Sequence, residues 1–170
     1  MKAHSASGVG LVRNDFFRVF RLFTRPLYTQ TPFAQVDPSD WKRSISIRVI
    51  DCGSSNAAEQ EILSIFNPIY DAEQYGFHLV ASPRHADVLL ITGPITRNMH
   101  AALLDAFYAM PEPRKVVTLG DDIAGNSALN QSYAIVSLPE EIAAVHVAHI
   151  PGDPPTPEEI LKVLLRLDLS

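Results

Sequence analysis

The stretch Asp87-Val-Leu-Leu-Ile-Thr-Gly93 reads as a strand running into a glycine turn, and the segments around it decide what kind of sheet it joins. Upstream, Ser44-Ile-Ser-Ile-Arg-Val-Ile50 is another short β-branched run. A Gly-Ser loop and a helical stretch from about Asn56 to Phe66, stopped before Pro68, come next. Phe77 to Ala81 reads as a further strand. Downstream, a helix from about Thr96 to Met110 is ended by Pro-Glu-Pro, and Lys115 to Gly120 and Ala143 to Ile150 read as strands four and five. The last helix starts near Pro157 and runs to about Leu167. Thr156 is its cap, and Glu158 and Glu159 sit at the positive end of its dipole.

Strands alternating with helices imply a mostly parallel sheet covered on both faces, an α/β, flavodoxin-like, doubly wound domain over residues 44–170. Ligands of such folds sit beyond the carboxyl ends of the strands. The loops leaving those ends are DCGSSNAAE (51–59), TGPITRNM (92–99), GDDIAGN (120–126) and IPGDPPTP (150–157), and all four are expected to converge on one edge.

A chain of 170 residues with 46% hydrophobic and 19% charged side chains suffices for one domain with a real core. No apolar run approaches the ~20 residues a membrane span needs, and the N-terminus lacks the continuous apolar core of a secretory leader. The one cysteine, Cys52, excludes an intramolecular disulfide and any thiolate cage made by this chain alone.

Net charge is −5, unevenly spread: residues 1–48 carry eight Lys and Arg against three Asp and Glu, and residues 49–170 carry six against sixteen. Within the basic segment, Asn14 to Pro26 (NDFFRVFRLFTRP) has helical periodicity. Phe16, Val19, Phe20 and Phe23 share one face and Arg18, Arg21 and Arg25 another. A Pro-, Thr- and Gln-rich tether follows, so residues 1–43 read as an amphipathic arm. Such an arm docks on a partner or a membrane surface, or folds back on its own domain; its charge suits anionic lipid, nucleic acid or an acidic subunit alike.

The four loops offer several chemistries. Ser54, Ser55 and Asn56, with Gly53 before them, lead into a helix N-terminus that could receive an anion, although no G-x-G-x-x-G or Walker sequence is present. Asp121, Asp122 and Asp153, with Glu59 as a fourth, could bind a hard cation or do acid-base work. Acids in such loops are more usually only solvated. Cys52 or Ser55 as a nucleophile would need an activating base, and neither His85 nor His149 is marked as one. His146 and His149 read as strand-face residues.

Taken together, DCGSSNAAEQEI (51–62), ASPRHADVLLITGPITRNM (81–99), MPEPRKVVTLGDD (110–122) and HIPGDPPTPEEIL (149–161) resemble a known set. It is the small, electron-transferring subunit shared by respiratory complex I, as its twenty-kilodalton subunit, and membrane-bound energy-converting nickel-iron hydrogenases. The likeness is nearest to the hydrogenase and formate hydrogenlyase branch and covers about residues 45 to 167. Members of that branch hold a four-iron four-sulfur cluster on four cysteines. Carried onto this chain, those positions are Ser55, Ala58, Asp122 and Asp153, and none is a cysteine; Cys52 matches an additional cysteine that is not normally a ligand.

A cubane needs soft thiolate ligands, so the resemblance implies a family member without its cluster and therefore without an electron carrier. It further implies that Glu59 and Glu61, and Thr92, Gly93, Pro94, Thr96, Arg97 and Met99, match positions at which relatives meet the large subunit and the cluster pocket. The expected partners are a large subunit, membrane-arm subunits and a ferredoxin-like subunit, with no nucleic acid. The expected place is the cytoplasmic side of a membrane, peripheral, within an ion-translocating complex. The expected role is structural or coupling, with no catalytic residue and no cofactor. The alternatives are a crevice reused by Asp121, Asp122 and Asp153, or an atypical cluster held partly by Cys52 and aspartates.

Overall fold

Nine elements follow one another in the computed structural model, which describes residues 44–124 and 128–167. They are β1 (Ile45–Asp51), α1 (Ala57–Ser64), β2 (Phe77–Leu79), β3 (Val88–Thr92), α2 (Arg97–Ala109), β4 (Lys115–Leu119), α3 (Glu140–Ala143), β5 (His146–Ile150) and α4 (Pro157–Arg166). The proposed arm, with Phe16, Phe20, Phe23, Arg18, Arg21 and Arg25, lies outside the described residues.

The strands form one sheet in the order β2-β1-β3-β4-β5, and every pair is parallel. This is the flavodoxin-like order, with its switch point between β1 and β3. β3 is central because Val88, Leu89, Leu90, Ile91 and Thr92 are all buried, one set against each helical layer. Leu103, Phe107 and Met110 of the α2 region pack with Ile50, Leu89, Ile91 and Val116 on one face. On the other, α1 packs against α4, which buries Ile160, Leu161 and Leu164 along one stripe.

Two strand boundaries differ from the sequence reading by two residues or more. β2 stops at Leu79 rather than Ala81, because Pro83 and a 3₁₀ turn over Pro83–His85 take the chain away. β5 begins at His146: Ala143, expected in the strand, closes the short α3, which starts after Pro139. The stretch between β4 and β5 also carries a 3₁₀ turn, Ala128–Gln131, and an antiparallel bridge between Thr96 and Ile135.

Candidate functional site at the carboxyl ends of the strands

The β1 and β3 exits interlock at the switch point. Thr96 donates its N–H (3.0 Å) and its hydroxyl (2.8 Å) to the carbonyl of Cys52, and the Cys52 N–H bonds to Thr92 O. Gly93 has φ +68°, and a Cβ there would stand 2.4 Å from the backbone N of Ser54. Only glycine allows that approach.

The β1 loop supplies its own anion. Asp51 Oδ1 accepts from Gly53 N at 2.8 Å and Ser54 N at 2.7 Å. Two N–H groups ahead of α1, those of Gly53 and Ser54, are thus already engaged. Glu59, in the first turn of α1, accepts from the Ser54 hydroxyl at 2.6 Å through one oxygen and from the buried Thr92 hydroxyl through the other. Its carboxylate ties α1 to the end of β3.

The β4 and β5 exits are joined in the same way. Asp121 Oδ1 accepts from Gly152 N at 2.9 Å, and Gly120 N bonds to Ile150 O. Asp121 is therefore committed to holding two loops together. Asp122, half-buried, lines a cleft of about 360 Å³ with Ile95, Ile123, Val136 and Leu138, and Asp153 is exposed beside Pro154. Among the described residues no group of three or more His, Cys, Asp or Glu could hold a metal ion.

All four positions matched to cluster ligands lie beyond the carboxyl ends of strands: Ser55 exposed after β1, Ala58 buried in α1, Asp122 after β4 and Asp153 after β5. They offer a hydroxyl, two carboxylates and, at Ala58, no ligating atom, which does not fit a cubane. Cys52, the chain's one cysteine, follows directly after β1. It is fully buried in the apolar cluster with Ile50, Ile91 and Ile95, and burial, aided by Asp51, pushes its thiol up to about 12.

The residues matched to partner contacts are split. Thr96 and Glu59 use their side chains inside the chain, and Met99 packs against the α2-side core. Arg97 is exposed, its Nε donating to Tyr133 O, and Glu61 is half-buried.

One feature of this edge escaped sequence reasoning. The Thr118 hydroxyl lies 2.9 Å from His146 Nε2 and 3.0 Å from His149 Nδ1. Strand alternation places residues three apart on opposite faces, but the β4–β5 register shifts between Val116 and Val117, and both rings reach the same hydroxyl. Desolvation, then the neighbouring His146, lowers the His149 pKa against the opposing pull of Asp121 and Thr118.

The order of strands and a loop cluster built around the β1/β3 switch point define a flavodoxin-like domain whose site edge is assembled from four strand exits. The chain belongs to the family described as NADH ubiquinone oxidoreductase, 20 Kd subunit, whose model matches residues 54–167. It is 40% identical over 122 residues to formate hydrogenlyase subunit 7 of Escherichia coli, covering 71% of this chain and 47% of that protein. This chain thus spans about half of that relative's length. A probable membrane-bound hydrogenase subunit of Pyrococcus furiosus, mbhJ, is 38% identical, covering 70% of this chain and 71% of that one. A solved chain of the membrane-bound sulfane sulfur reductase, an archaeal respiratory membrane complex, shares the fold with a TM-score of 0.58. Its identity is 22%, over 75% of this chain and 72% of that one.

Proposed function

We propose that this chain is a peripheral subunit of a membrane-bound complex of the complex I and energy-converting hydrogenase kind, and that it holds the assembly together and couples its parts without carrying electrons. Family membership over residues 54–167 supports the first half. The similarity to subunits named for formate hydrogenlyase and a membrane-bound hydrogenase supports the choice of complex. Among the described residues no helix is long and apolar enough to cross a membrane, which fits attachment through other subunits.

The observation that carries the second half is the donor chemistry. By the family resemblance, Ser55, Ala58, Asp122 and Asp153 match the positions of the cluster-binding thiolates, and Cys52, the one cysteine, is a buried core residue whose thiol is raised by burial. The partners of this reading are a large subunit, membrane-arm subunits and a ferredoxin-like subunit. Coupling to proton or sodium movement would be conformational. The test is anaerobic purification of the whole complex through a tag on this chain, followed by iron, sulfide and electron paramagnetic resonance measurements. Stoichiometric iron and sulfide traced to this chain would overturn the cluster-less reading.

A further inference from the structure

β1 outruns its edge neighbour. The β1–β2 pairing ends at Ile47 with Leu79, and the last bond of that ladder runs from Val80 N to Ile47 O. β1 continues to Asp51. In a parallel ladder the peptide groups of alternate residues point to the same side, so the N–H and C=O of Val49, two residues past Ile47, point where β2 no longer runs. A groove of about 230 Å³ lies there, lined mainly by apolar atoms of Val49, Ile62, Leu63, Leu79 and Val80. Leu63 and Leu79 are 55% and 39% exposed, unusual for large apolar side chains flanking one groove.

Arg48 borders the same groove, and its Nε is shut off from solvent with no hydrogen-bond partner among the described residues. Glu59 also borders it, but its carboxylate oxygens are taken by Ser54 and Thr92. A guanidinium nitrogen buried without an acceptor is costly, and a carboxylate is its best-matched complement.

We infer that this groove receives an extended segment of another subunit, which pairs with the free edge of β1 at Val49, seats an apolar side chain between Leu63 and Leu79, and places a carboxylate on Arg48. Strand addition to an open edge with a side-chain pocket beside it is a known recognition mode. The chain's own residues 1–43 are a poorer match, because they carry seven basic against three acidic side chains. The inference rests on the chain being a subunit of a larger assembly.

The test uses the complex purified through a tag on this full chain. A photo-crosslinking amino acid is placed at Leu63 in one preparation and at Leu79 in another, and the crosslinked peptides are mapped by mass spectrometry. Both positions are expected to capture one segment of one other subunit, containing an Asp or Glu. Arg48→Glu is expected to lower the recovered complex at least tenfold while the chain keeps its circular dichroism spectrum. The reciprocal change of the captured acid to Arg is expected to restore recovery. Crosslinks to residues 1–43 or to a second copy of this chain, no crosslink at all, or an Arg48→Glu complex recovered like wild type would each overturn the groove proposal alone. Isolation of the chain with no other subunit would overturn the assembly reading as well.

Discussion

Cys52 and His149 titrate in opposite senses. The Cys52 thiol, raised from 9.0 to about 12, stays protonated in the folded chain while the unfolded thiol ionises near its ordinary value. The neutral form is favoured by folding, so its contribution is fully present below pH 9 and is lost as pH rises toward 12. The stability difference between wild type and Cys52→Ala, from guanidinium unfolding, is expected to narrow over that window; a difference independent of pH would count against it. His149 is lowered from 6.5, so the unfolded chain binds a proton before the folded one does. Its contribution is present above pH 6.5 and is lost on acidification below it, with His146, Asp121 and Thr118 as the groups that face the ring. His149→Gln is expected to flatten the fall in stability between pH 7 and the acid side, and an unchanged slope would refute the assignment. Gly93→Ala meets both a left-handed backbone and the Ser54 peptide, and is expected to cost on the order of 2 kcal/mol.

At the scale of elements, α4 is the most self-announcing part of the chain. Thr156 accepts from Glu159 N while Glu159 Oε2 accepts from Thr156 N, a complete capping box beside the β5 exit that carries Asp153. The two hydrogen bonds from Thr156 hold the exposed Glu159 carboxyl below its usual range. Thr156→Ala should destabilise the chain by about 1 kcal/mol in chemical unfolding, and a loss near zero would mean that tertiary packing alone fixes α4. The cap was readable at Thr156, as β3 was in its unbroken apolar run, because these signals are local. The His146–Thr118–His149 contact was not, since it depends on a register shift that strand periodicity does not contain. The tie from Glu59 to Thr92 is likewise set by contact across the fold. The convergence edge was legible from strand–helix alternation; which of its acids are committed, such as Asp121 to Gly152, was not.

At the scale of the molecule, the frame and the chemistry of the site have separate determinants. The sheet order, the interlock of Gly93 with Ser54 and the loop tie from Asp121 to Gly152 are made by the chain's own backbone and side chains. Cluster binding instead calls for soft thiolate ligands, typically four, brought to one place. If the loops retain that spacing, thiolates should suffice to restore it. Ser55→Cys, Ala58→Cys, Asp122→Cys and Asp153→Cys combined in the full chain, then incubated anaerobically with ferrous iron and sulfide, are expected to take up a cluster that survives desalting and shows a reducible resonance signal. Wild type treated alongside is expected to retain none, and the variant keeping Ala58 should bind less stably than the full set. Equal uptake by wild type would mean that Cys52 and the aspartates can ligate a cluster after all. No uptake by the fourfold variant, with its circular dichroism unchanged, would mean that these loops have lost the cluster geometry as well as its ligands.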